Sequence, residues 1–236
     1  MMASARNSYL NNAVPPPTEI GTIPVVEWLI QLPVLLFSVV VHEFCHGWAA
    51  HTRGDDTAER AGRLTLNPAA HVDPFGTIFL PMLCVLTGSP MFGWAKPVPF
   101  DPKRLKDPRR DTMRVALMGP VANVALAFVA AIAFKIVSVV PGMGVETRSL
   151  WLEVALFAAT LNLFLAFFNL LPVHPLDGSK VLSGVLARPI ARIYNRHIPY
   201  GGFIILLMLV TGTLGAIVMP AIRFTLDLWT WIGLLG

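Results

Sequence analysis

Residues 23–41, 115–140, 150–171 and 203–220 are apolar runs close to or above the length a helix needs to cross a hydrocarbon core. That length is about 20 residues for a core of about 30 Å. Two further runs, 75–92 and 222–235, are shorter or broken by proline and polar residues. The composition agrees: 55% of residues are hydrophobic and 14% charged, whereas soluble domains carry about 25% charged residues. The expected fold is therefore an all-α integral membrane protein, a polytopic helical bundle of four to six helices. A polar tail, residues 1–22, precedes a single membrane domain over 23–236. The first run lacks a flanking basic region and a small-residue cleavage site, so it reads as an uncleaved anchor rather than a signal peptide.

The formal net charge of +4 does not point to nucleic acid. Seven basic residues fall within 96–114 and four within 180–196, both beside spanning runs. Such clusters are the usual orientation signal of cytoplasmic loops. The expected location is a multi-pass position in the cell membrane, with lipid around the chain and no nucleic-acid partner.

Three polar stretches separate the spans: 51–74, 94–111 and 174–202. Whether 75–92 crosses the membrane decides which of them share a side. Its apolar stretch is cut by Pro81 and by Thr87, Gly88, Ser89 and Pro90, so we expect it to re-enter. Irregular backbone at membrane depth is tolerated where protein or a water-filled cavity surrounds it. Re-entry places all three polar stretches on one side.

The first span ends in "VVVHEFCHGW", with His42, Glu43 and His46 where apolar residues belong. Ionisable residues inside a membrane segment are costly and mark function by default. His42 and His46 are four apart and project from one helix face, where both can grip one ion. Glu43 is placed to reach a water on that ion. The spacing is H-E-x-x-H, whose usual occupant is zinc, with the glutamate as general base. Two imidazoles leave a catalytic zinc one protein ligand short.

Two residues compete for the third position. Asp177 lies in "NLLPVHPLDG", where Pro172 and Pro175 end the preceding helix and let a carboxylate turn back toward the bundle. His174 is three residues away. Asp177 is favoured because a carboxylate completing two histidines is a recurrent catalytic zinc set. His51, His71 and His197 read as solvated. His46 and Asp177 can share an ion only if their helix ends meet on one side, which re-entry of 75–92 allows.

Taken together, His42–His46, the G-P-x-x-N of Gly119 to Asn123 and the N-x-x-P-x-x-P-L-D-G of Asn169 to Gly178 resemble the site-2 protease family of intramembrane zinc metalloproteases. "GRLTLNPAAHVDPFGT" and "FGWAKPVPFDP" resemble its compact bacterial branch, so the likeness covers roughly residues 24–220. It implies a three-helix zinc-protease core with Zn2+ on His42, His46 and Asp177. Glu43 is then the general base, and the substrate is a transmembrane segment of a single-span, membrane-tethered protein, cut in regulated intramembrane proteolysis. Asn169 would position substrate or stabilise the oxyanion, or else bond between helices. Asn123 is a second substrate-side candidate, with helix packing as its alternative role. No stretch is long enough for the PDZ or CBS modules common in the family. The active site is expected toward the cytoplasmic side.

Residues 93–100, "GWAKPVPF", could offer an unwound substrate an edge strand. The competing function is a non-catalytic membrane metal-binding scaffold or carrier. Glu43 separates the two, since a carrier has no use for a base beside its ligands.

Overall fold

A computed structural model describes residues 25–80, 82–83 and 96–236. Residues 1–24, 81 and 84–95 lie outside the described residues, and so does most of the re-entry expectation. Among the described residues eight α-helices follow in order: α1 Val25–His51, α2 Thr57–Arg60, α3 Pro108–Val139, α4 Val145–Asn169, α5 Asp177–Val185, α6 Arg188–Tyr194, α7 Gly201–Val210 and α8 Thr213–Trp231. No strand occurs among the described residues. Four segments are long and apolar enough to span a membrane: Gln31–His51, Pro108–Val139, Val145–Asn169 and Arg188–Val210.

α1 does not stop at residue 41, as the apolar run suggests, but carries H-E-x-x-H within its last turns. α3 starts sharply. Asp107 is its N-cap, its side chain accepting from the Arg110 N–H at 3.2 Å, and Pro108 fills the first helical position. A short connection turns α3 into α4, and Arg148 donates to the carbonyls of Ser138 (3.3 Å) and Val140 (2.6 Å) at the end of α3. Ala127, Ala131, Ala159 and Leu163 are fully buried between these two helices. Small residues let helix backbones approach closely where lipid supplies no hydrophobic drive for association. On the other face, Ala49 and Ala50 of α1 bury against Val115 of α3. α3 is thus the middle helix of a three-helix core.

The run 203–220 is not one span. Gly212 adopts a left-handed conformation, φ +73°, and separates α7 from α8. Glycine takes this conformation without the steric cost other residues meet. α8 then lays Leu214, Val218, Ile222, Leu226 and Trp229, one stripe at helical spacing, on the α3–α4 pair.

The polar connection between α1 and α3 leaves and returns at one place. The Lys96 N–H donates to the His71 carbonyl at 2.9 Å, and the Asp101 N–H donates to the buried Asp55 carboxylate at 2.6 Å. The chain therefore reaches α3 at the end of the bundle where α1 finishes. Asp55 also accepts from the Thr57 N–H at 3.1 Å and is wholly buried, so its loss leaves donors without partners. Asp55→Ala is expected to destabilise the protein by about 1–3 kcal/mol. Thermal unfolding of the detergent-solubilised protein measures this.

Candidate metal centre

His42 and His46 lie on one face of α1, their rings edge to face at 87° and their Nε2 atoms 3.0 Å apart. Asp177 opens α5, straight after the proline-broken segment that follows α4. Its Oδ2 is 3.2 Å from His42 Nε2 and 3.0 Å from His46 Nε2. All three residues are buried, at 6%, 8% and 6% exposure. The two halves of the site, 131 positions apart, meet in the core.

The far sides of the rings decide what the near sides can do. His42 Nδ1 is 2.6 Å from Asn123 Oδ1, and His46 Nδ1 is 2.7 Å from the Val115 carbonyl oxygen. Both partners only accept, so each Nδ1 carries the proton and each Nε2 presents a lone pair. Two such nitrogens and a carboxylate oxygen then sit within 3.2 Å of one another with no proton between them. That arrangement is repulsive unless a cation sits among them. Zinc ligands at about 2.0–2.1 Å in a tetrahedron are about 3.3 Å apart, so the donor set and its spacing fit zinc. The other Asp177 oxygen, Oδ1, faces the Lys180 ammonium at 3.2 Å, which leaves Oδ2 turned toward the histidines.

Gly119 explains how α3 comes so close. A Cβ there would overlap the Nε2 atoms of both histidines. One turn further on, Asn123 reaches His42. The G-P-x-x-N motif is therefore the back wall of the cluster.

A cavity of about 390 Å³ opens on its other side, lined by Val39, Glu43, Val98, Phe168, Asn169 and Lys180 among others. Glu43 Oε2 accepts the Val98 N–H at 2.8 Å. Pro97 and Pro99 have no N–H, so this is the single donor in three residues. The segment is pinned at Lys96, whose carbonyl also accepts from Arg63 at 3.3 Å, and at Asp101. Residues 96–100 form no strand with the rest of the described chain. The N–H groups of Lys96 and Val98 are used within the protein, and residues 93–95 lie outside the described residues.

The remaining sequence candidates fall as follows. Asn169 lines the cavity, and its amide donates to Leu165 of its own helix at 2.9 Å rather than to a neighbouring helix. Asn123 is wholly buried behind His42, where α3 packs that face against α1. His174 stands outside the cluster and lines a separate recess with Arg109 and His197. His71, expected in solvent, is wholly buried with Nε2 bonded to the Thr65 carbonyl at 2.9 Å. His51 is exposed beside Glu59, and His197 Nε2 accepts from the His174 N–H at 3.0 Å.

Sequence reasoning missed the Val98 N–H, Lys180, Asn162 and Ser38. Asn162 donates to Ser38 Oγ and accepts from Asn123, so it stands one step behind the metal cluster. An amide in an apolar run is its only trace in the sequence.

Comparison with known proteins adds a family to this geometry. The model of peptidase family M50 matches residues 31–209. YwhC of Bacillus subtilis, named as a zinc metalloprotease, is 38% identical over 196 residues, 78% of this chain and 81% of that protein. Rip2 of Mycolicibacterium smegmatis, named likewise, is 30% identical over 179 residues, covering 76% of this chain and 66% of its own. MJ0392 of Methanocaldococcus jannaschii, a zinc metalloprotease by name, is 24% identical over 208 residues, 87% of this chain and 48% of its own. No solved structure matches.

Gly119→Ala is expected to weaken zinc binding at least about tenfold, since the added methyl displaces both imidazoles from a geometry that outer contacts tune by 10–100-fold. Helix content should not change. Metal analysis after dialysis against a chelator, alongside circular dichroism, checks both halves.

Proposed function

The chain belongs to peptidase family M50, and from that premise we propose that this zinc metalloprotease is an intramembrane endopeptidase. Its substrate is a transmembrane segment of a single-span, membrane-tethered protein, and the cut releases that protein's polar domain in regulated intramembrane proteolysis. One observation carries the reading. His42, Glu43 and His46 lie near the end of a segment apolar enough to span a membrane, and Asp177 meets them from the short helix that follows another such segment.

In this reading His42, His46 and Asp177 hold zinc. The bound ion supplies Lewis acidity toward water and toward the scissile carbonyl. Glu43 takes the water's proton and passes it to the leaving amine. Val98 occupies one of its oxygens and leaves the other for that proton. Lys180 holds Oδ1 of Asp177 and leaves Oδ2 turned toward the histidines. Asn169, on the cavity wall, is placed to orient substrate through its amide oxygen.

A cavity of about 390 Å³ takes a few residues of extended chain, not an intact helix. A substrate helix must therefore unwind before a carbonyl reaches the ligands. Arg109 reaches the Ser183 carbonyl at 3.4 Å and Lys180 reaches Asp177, so both basic clusters gather at the site's end of the bundle. By the positive-inside rule this supports a site facing the cytoplasm, in the cell membrane.

Glu43→Gln should keep zinc and lose about 10²–10⁴-fold in cleavage of a single-span reporter in nanodiscs. Proteolysis at the wild-type rate in that variant would refute the role of Glu43. In cells, the same variant should accumulate a single-span fragment visible in the membrane proteome. Cleavage confined to soluble peptides would sink the intramembrane reading.

A further inference from the structure

Behind the metal cluster, away from the cavity, lies a polar group that no reacting atom touches. Ser38 of α1, Asn123 of α3 and Asn162 of α4 are 1%, 0% and 3% exposed. Their side chains form a chain of hydrogen bonds across the three core helices, and elimination fixes the direction of every link.

The Ser38 hydroxyl has one proton and donates it to the Val34 carbonyl at 2.7 Å. Toward Asn162 Nδ2, at 2.9 Å, it can then only accept. The same nitrogen donates to the Ala158 carbonyl at 2.9 Å. The Asn162 amide is thereby held with its nitrogen toward two acceptors, and its Oδ1 must face Asn123. Asn123 Nδ2 donates to that oxygen at 2.8 Å and also reaches the Ser38 carbonyl at 3.3 Å. With its nitrogen so committed, Asn123 turns its oxygen to His42 Nδ1.

The two histidines differ here. His46 is oriented by a main-chain carbonyl, which cannot turn over. His42 is oriented by a side-chain amide, which can. A flipped Asn123 would offer His42 a donor, move the imidazole proton to Nε2 and destroy the ligand lone pair. Two acceptors hold the amide the right way round, the Ser38 carbonyl at 3.3 Å and, at the shorter 2.8 Å, Asn162 Oδ1.

We propose that Asn162 is a positioning residue for the metal: it fixes the orientation of Asn123 and, through it, the tautomer and zinc affinity of His42. The proposal rests on the reading of His42 as a zinc ligand. Asn123 is the partner one bond beyond the ligand, a class whose loss changes metal affinity about 10–100-fold, and Asn162 acts through it.

The test uses the full chain in detergent or nanodiscs, with zinc affinity read by chelator competition. Asn162→Leu keeps the side-chain size and removes the amide; zinc should bind about 10–100-fold more weakly. Adding Asn123→Asp to that variant should recover at least about tenfold, because both carboxylate oxygens accept and no flip can present a donor to His42. A packing defect alone would lower the melting temperature of the metal-free protein and would not be reversed by that second change. Should Asn162→Leu fail to fold, Ser38→Ala loosens the same amide by one of its two anchors. It should cost about 2–5-fold, restored in the same way by Asn123→Asp. Wild-type affinity in the Asn162 variant, or a loss that Asn123→Asp does not reverse, overturns the proposal. Tight zinc binding in His42→Ala would instead overturn the ligand reading itself, whatever Asn162 does.

Discussion

Three lone pairs aimed at one point repel one another, and burial of all three residues leaves little solvent to soften that repulsion. The polar contacts of the core can be understood as the arrangement that keeps protons away from this point. The Val115 carbonyl and the Asn123 amide take the imidazole protons on the far side, and Lys180 draws the second oxygen of Asp177 outward. What remains is a small anionic nest that a divalent cation completes. The cost of burying these groups, which lipid raises, is offset only when each of them has its partner.

The fold supplies those partners by making α3 the central helix. Gly119 lets its backbone run against both imidazoles, Val115 lies about one turn before the glycine and Asn123 about one turn after. Further along α3 the buried Ala127 and Ala131 let α4 pack closely, bringing Asn162 in behind Asn123 and Asn169 to the cavity wall. α8 then covers the α3–α4 pair away from the site. The helices are held by close backbone approach near the metal and by larger side chains further off. Such a division suits a bundle whose rigid part must be the ligand frame.

How much of this could be read beforehand depends on the range of each interaction. His42, Glu43 and His46 declare themselves because their geometry is local to one helix. Asp177 is legible one step less directly, through the prolines that end α4 and the need for a third ligand. Gly119 and Asn123 stood out as a motif, yet their work was not readable, since it depends on which face of α3 meets α1. Asn162 gave no local sign: an amide in an apolar helix reads equally as glue between helices. Hydropathy also joined 203–220 into one span because it does not register the backbone turn at Gly212. His71 was misjudged because a polar loop can still bury a ring, here against the Thr65 carbonyl.

The contact between Glu43 and residue 98 has a consequence for how such a site varies in evolution. The group that holds the carboxylate is a main-chain atom, which nineteen of the twenty amino acids supply and proline alone withholds. A scan of side-chain replacements at 98 would report on the packing of the valine against Gly47, where the space for any added atom is already filled. It would pass over the hydrogen bond itself. A residue beside the reacting groups can therefore look freely exchangeable, or merely hydrophobic, in any family alignment while its backbone stays indispensable.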